Sequence, residues 1–272
     1  MPPHVEIISV GNELLIGKIV NTNSYWIAKR VTTLGMKVRR ITTVGDDVEE
    51  ISNAIQEALQ RRPRFIITTG GLGPTFDDKT LEGIARGLGR GLRVHEQALK
   101  MIEEKYRKYV EEGKIREFDL TAPRLKMANL PEGAEPLPNP VGTAPGVMVR
   151  HEGTTIIALP GVPSEMKAIF EEFVAPLIRE AAGNVEFYEA SLYVVGVPES
   201  EVAPLIDQTM HDNPHVYIKS HPKGAEPVPR LELHFSTTAE SPQVARQRVS
   251  RALIQLSELV QAKGGKVKPI QR

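Results

Sequence analysis

A chain of 272 residues can bury one large core or two modest ones, and 40% hydrophobic with 25% charged residues is the composition of a soluble globular protein. Lysine plus arginine and aspartate plus glutamate balance at 34 each, so no net field draws the chain to nucleic acid or anionic lipid, and nucleic-acid binding is disfavoured. The absence of cysteine removes disulfides, thiolate metal sites and cysteine nucleophiles.

Met1-Pro2-Pro3-His4 leads directly into a strand-like run, without the basic segment and apolar stretch of a signal peptide. No window approaches about 18 uninterrupted apolar residues. A cytoplasmic protein with no membrane association is expected. Residues 5–10 read as a short apolar strand ending at Gly11. From Asn23 to Leu34, Trp26, Ile27, Val31 and Leu34 recur at helical spacing, and Gly35 supplies the stop. Residues 37–44 read as a strand. Asp47 then caps a helix whose apolar face is Val48, Ile51, Ile55 and Leu59. Residues 65–69 form a buried-strand candidate that breaks into Gly70-Gly71.

Strands spaced by amphipathic helices predict an α/β fold with a mostly parallel sheet covered on both faces. Ligands of such sheets sit beyond the carboxyl ends of the strands, here the loops after Val10, Val44 and Thr69. The charged segment from Glu96 to Glu112 reads as a solvated helix face, and the proline-rich stretch from Pro131 to Pro145 as loop. A hairpin around His151-Glu152-Gly153 precedes a strong helix from Ser164, in which Pro176 predicts a kink or break. The best boundary is Ala181-Ala182-Gly183-Asn184, dividing residues 1–182 from a small α+β domain of residues 183–272. In that second part the order is strand (192–197), helix (199–210), strand (216–219), strand (231–237) and helix (243–263), with Pro222 to Pro227 joining the middle strands.

Four segments carry chemistry. Thr69-Gly70-Gly71-Leu72-Gly73-Pro74-Thr75-Phe76-Asp77-Asp78-Lys79-Thr80 places bare backbone amides, and a helix start near Asp77, where an anion would sit. One of its two aspartates would cap the helix while the other helps hold a divalent cation; the bland alternative is a glycine turn with an ordinary cap. Gly11-Asn12-Glu13-Leu14-Leu15, followed by Gly17, Lys18, Asn21 and Asn23, puts an acid, a lysine and two amides after the first strand. Taken singly, Lys18 reads as a surface charge and either asparagine as a helix cap. Pro138-Asn139-Pro140-Val141-Gly142-Thr143-Ala144-Pro145-Gly146 and Leu159-Pro160-Gly161-Val162-Pro163-Ser164-Glu165-Met166 are stiffened loops, the second opening a helix with free amides.

In this order the four segments resemble the N-terminal domain of the CinA (competence/damage-inducible protein) family and, more distantly, molybdopterin-binding domains of the MoaB, MogA and MoeA type. The match spans about residues 5 to 180. The resemblance implies a three-layer α/β/α molybdopterin-binding-like domain, followed by a KH-type module. It also implies hydrolysis of a nucleotide diphosphate such as ADP-ribose, to AMP and ribose 5-phosphate, or of FAD, with Co2+, Mn2+ or Mg2+ and K+. Glu13, Asp46 and Asp78 carry over as catalytic residues, and with Asp77 as metal ligands. Gly70, Gly71, Gly73, Pro74, Thr75, Thr80, Gly161, Pro163 and Ser164 are expected around the phosphates, with Lys18, Asn21, Asn23, Asn139, Gly142 and Thr143 around the rest of the ligand. Two departures matter: Asn12 stands where many relatives have Asp, and the chain stops before the amidohydrolase domain of full-length CinA, so that activity does not transfer.

The same motifs suit a molybdenum-cofactor enzyme acting on a pterin phosphate, and also a protein that senses a nucleotide without turning it over. His211 and His215 are separated by Asp212-Asn213-Pro214, which breaks a shared helix face and argues against zinc. Residues 184–272 lack the Gly-x-x-Gly string of an RNA-gripping KH module. A small-molecule ligand and a homodimer are the expected partners.

Overall fold

A computed structural model describes residues 3–183, 185–223 and 228–270. Of the segments singled out above, Met1, Pro2, Asn184 and the stretch Gly224 to Pro227 lie outside the described residues. The chain divides into two compact units, Met1–Thr32 with Met36–Ala181, and Thr33–Gly35 with Ala182–Arg272.

The first unit is built on a six-stranded mixed sheet. β1 (His4–Val10) lies between β2 (Lys37–Val44) and β3 (Phe65–Thr69), and both neighbours run parallel to it. β8 (Thr154–Leu159) is parallel to β3, while β7 (Gly146–His151) and β6 (Ala134–Leu137) complete the order β2-β1-β3-β8-β7-β6 through antiparallel pairs. The three central strands β1, β3 and β8 are buried along their whole length, as a sheet covered on two faces requires. Ile8, Val10, Ile66, Ile156 and Ala158 pack with Ile51 and Ile55 of α3 (Val48–Gln60), Ile84 of α4 (Thr80–Gly87) and Ile102 of α5 (Glu96–Glu111). The alternate strand positions, including Ile7 and Ile67, are also fully buried and point to the opposite face.

On that opposite side, Trp26 of α2 (Thr22–Thr33) meets Phe170 edge-on at 5.2 Å and 85°. Arg30 makes a two-pronged bond to Glu171 at 2.5 and 2.7 Å. Phe170 opens a π-helical turn, Phe170–Val174, between α7 (Pro163–Ile169) and α8 (Ala175–Ala181). Pro176 offers no N–H to the carbonyl four residues back, at Glu172, and the wider turn absorbs the mismatch. The expected break is thus a π-bulge, and the helix continues.

The proline-rich stretch is less irregular than expected. Ala134–Leu137 is a strand, and Pro136 is tolerated there because β6 is the sheet's edge. The glutamate-rich helix α5 is not wholly solvated either, since Ala98 and Ile102 enter the core.

The second unit is a four-stranded antiparallel sheet ordered β10-β11-β9-β12, with two helices. Its elements are β9 (Glu186–Val195), α9 (Glu199–Asp212), β10 (Tyr217–Pro222), β11 (Arg230–Ala239), α10 (Pro242–Ala262) and β12 (Lys266–Ile270). Leu192, Val194, Leu233 and Phe235 pack on Val202, Val249 and Leu256. β12, an edge strand carrying Pro269, was not anticipated. Among the described residues no helix is long and apolar enough to cross a membrane.

Two polar features inside the first unit can be tested. Glu6, 2% exposed in the middle of β1, receives a two-pronged bond from Arg61 at 2.8 and 2.7 Å. Arg61→Met strands that carboxylate in the core and should cost about 3 kcal/mol. Chemical denaturation followed by Trp26, the chain's single tryptophan, reads this unit alone. At the start of α3, Asp47 caps the amides of Glu49 and Glu50, and these bonds, that of Glu50 foremost, hold its carboxyl below the ordinary value of 3.8. A lowered folded-state pKa stabilises above the unfolded value and is lost as pH falls through the folded one. Asp47→Asn, which keeps a cap but no charge, should therefore match the parent near pH 3 and fall behind it at pH 6 in thermal melts.

Candidate functional site

The parallel strands stop nearly abreast. Val10 faces Val44, Ser9 faces Thr69, and Thr69 faces Leu159. Because β7 runs antiparallel to β8, the 138–145 loop that feeds it reaches the same rim. The loops then lock to one another through the backbone. Gly11 N donates to Val44 O at 3.0 Å and Gly70 N to Leu159 O at 3.0 Å. Gly70 sits at φ 103°, and a Cβ on it would lie 2.2 Å from Val10 O, so only glycine allows this approach.

Side chains tighten the same junction. Asn23 Nδ2 bridges Thr69 Oγ1 at 3.0 Å and Gly161 O at 2.8 Å, and Thr69 Oγ1 donates to Pro160 O at 3.1 Å. Asn23 Oδ1 is buried with no hydrogen-bond partner, which leaves one acceptor at the rim unspent.

The expected site residues thus share a rim, but several do a different job there. Thr80 is 0% exposed and gives its hydroxyl to Gly70 O at 2.8 Å; it braces the glycine turn and is out of a ligand's reach, which corrects its assignment. Asn139 is likewise spent on its own loop, accepting from Val141 N and Gly142 N and donating to Ala144 O and Glu165 Oε2. Asn21 caps α2 through Ser24 N and bonds Ser9 Oγ, the plain role weighed for it. Lys18, Pro74, Thr75, Gly161, Pro163 and Ser164 are exposed, while Gly71, Gly73 and Thr143 are partly so. The role of Glu165 has no signal in the sequence, because its pairing with Asn139 joins positions 26 apart.

The acids are engaged as well. Asp46 Oδ2 accepts from Asn12 N at 2.8 Å, and Asn12 Oδ1 accepts from Asp46 N. An aspartate at position 12 would set a second carboxylate in that clasp, which explains the amide there. Asp77 and Asp78 curl back onto Thr75, and the Thr75 hydroxyl holds the Asp77 carboxyl below its usual range. Asp78 closes a turn through Thr75 N at 2.7 Å, so α4 begins at Thr80 and neither aspartate caps it; the predicted cap is corrected. Among the described residues no group of three or more His, Asp or Glu is placed to hold a metal ion. Asp46 is paired with Asn12, the Glu13 carboxylate lies against Gly11, and Asp77 and Asp78 share Thr75.

What the rim offers instead is backbone. α4 and α7 both begin there with no side-chain cap, whereas α2 is capped by Asn21, α3 by Asp47 and α5 by His95. Thr80 N is taken by Gly71 O at 3.2 Å and Pro163 has no N–H, so the amides of Leu81, Glu82, Ser164 and Glu165, with the positive ends of the helix dipoles, are the ones an anion could use.

Fold and rim together define an α/β protein whose strand-end loops converge on one rim. The family described as "probable molybdopterin binding domain" matches residues 6–180, and the chain belongs to it. A protein of Aeropyrum pernix is 47% identical over 266 residues, covering 97% of this chain and 96% of its own length. One of Pyrobaculum calidifontis is 48% identical over 262 residues, covering 96% of this chain and 97% of itself. The crystal structure of the protein CinA, of unknown function, from Thermoplasma acidophilum is similar with a TM-score of 0.59 and 43% identity, over 65% of this chain and 98% of that one.

The rim's backbone contact predicts a contrast between two neighbouring glycines. Gly70→Ala meets the Val10 carbonyl in a left-handed conformation and should cost about 2 kcal/mol or more. At Gly161 an added Cβ would lie 3.4 Å from Gly70 Cα, an ordinary contact. Gly161→Ala should fold as stably as the parent, and equal denaturation midpoints for the two variants would contradict this account.

Proposed function

We propose that the chain binds a phosphorylated pterin of the molybdopterin class at this rim, holding the phosphate on amides and not through a resident metal. The observation that carries the reading is the pair of uncapped helix starts, α4 and α7, on either side of the Gly70–Gly73 turn. Family membership supports the choice of a pterin. Ile19, Val20, Phe76 and Val162, all large apolar side chains left exposed in the rim loops, supply surface for a flat heterocycle.

Cleavage of ADP-ribose or FAD is the competing reading, and it calls for carboxylates gathered round a cation. Glu13, Asp46, Asp77 and Asp78 are instead spent on, or turned toward, their own loops, so binding is preferred to hydrolysis. One experiment separates them: the purified chain is titrated with a phosphorylated pterin, ADP-ribose and FAD, with and without Co2+, Mn2+ or Mg2+ plus K+, while products are followed. Pterin binding that persists in a chelator, with no AMP released, is expected. Metal-dependent release of AMP from ADP-ribose would replace this reading with hydrolysis, and the absence of binding by all three ligands would sink both.

A further inference from the structure

Beside the rim, α5 and the 138–145 loop enclose a cavity of about 270 Å³, lined among others by Met101, Lys105, Lys108, Asn139, Gly142 and Thr143. It adjoins the rim through Glu165 in the first turn of α7, whose Oε2 would touch a Cβ placed on Gly142. The Lys105 ammonium donates to Pro140 O at 2.8 Å, and among the described residues no carboxylate lies within ion-pair distance of it. The acids nearby are turned elsewhere: Glu104 toward Lys100 at 3.9 Å and Glu165 to Asn139 at 2.7 Å. Lys108 reaches only Glu112, at 3.9 Å.

A half-buried ammonium held by one carbonyl, with Glu112 and Glu165 acting on it only from beyond ion-pair distance, is expensive unless something nearer supplies the negative charge. Burial, and next the neighbouring Lys108 charge, hold the Lys105 amine below the ordinary lysine range. Pro140 O takes one of the three ammonium donors, and Thr143, whose hydroxyl has no hydrogen bond among the described residues, lines the same cavity. Lysine recognises a phosphate as a point charge, and a second lysine one helical turn away doubles the attraction.

We infer that Lys105, Lys108 and Thr143 form a second anion subsite, which takes a phosphate monoester dianion at the far end of the ligand held on the rim. The ligand class is thereby narrowed to molecules with two anionic groups. This rests on the reading of the rim as an anion site, but each place has its own reporters.

Inorganic phosphate and phenyl phosphate are titrated into the ¹⁵N-labelled full chain, with the amides of Gly142 and Thr143 reporting the subsite and those of Gly71 and Gly161 the rim. Saturable shifts at Gly142 and Thr143, weakened by added salt, are expected. Lys105→Arg should bind within a few-fold of the parent. Lys105→Gln, which keeps a donor for Pro140 O but no charge, should bind at least tenfold more weakly. Equal affinity for the Gln variant reduces Lys105 to a strut for its loop and overturns the inference, as do unmoved Gly142 and Thr143 signals. Silence at Gly71 and Gly161 with movement at Thr143 would instead count against the rim.

Discussion

The site depends on one close contact: the Gly70 α-carbon lying against the Val10 carbonyl at the ends of two neighbouring parallel strands. Parallel strands that end in register leave their outgoing loops about one strand spacing apart, roughly 4.8 Å, which is too tight for side chains on facing backbones. The chain meets this by removing the Cβ at position 70 and by spending polar side chains on the loops themselves. Thr80, Thr69, Asn23 and Asn139 all bond to backbone at the rim. The loops are thus locked to one another without a ligand, so the binding proposed at this rim would need little reorganisation.

This construction also accounts for the behaviour of the acids. Carboxylates at a helix start normally serve as caps, and each one so used removes amides from a ligand's reach. Asp47 does this for α3, at the end of the rim loop that follows β2. Asp77 and Asp78, which stand where they would do it for α4, fold onto Thr75 instead. The acidic residues of the glycine loop thus leave α4 without a side-chain cap, and hydroxyl and amide donors hold their negative charge.

Much of the scaffold was legible in the sequence because its signals are local. Residues 37–44, 65–69 and 154–159 form strands over the lengths that their β-branched runs predict, and Asp47 caps α3 as its position before an amphipathic run requires. The convergence of the loops on one rim followed from parallel topology. What stayed hidden depends on tertiary placement. Thr80 beside a glycine turn looks like a phosphate ligand until α4 packs down and buries it. Pro136 reads as part of a loop because nothing local says that β6 is an edge. β9 begins six residues before the expected strand, since Glu186 to Ser191, exposed or only partly buried up to Ala190, are held by pairing with β11. Lys105 sits in a run of charges, and only the return of the 138–145 loop lifts it out of solvent.

The balanced charge of the chain bears on what such a site can select. With 34 residues of each sign, the protein has no long-range field to gather polyanions, and at physiological salt such fields fade within about 8 Å in any case. Selection of a small dianion needs no such field. It needs cations and amides whose own counter-charges are missing at contact distance, as at Lys105 and at the starts of α4 and α7. Unpaired donors of this kind are costly to an empty protein and are relieved only by a ligand of matching charge and spacing, so the expense of the free state becomes selectivity in the bound one.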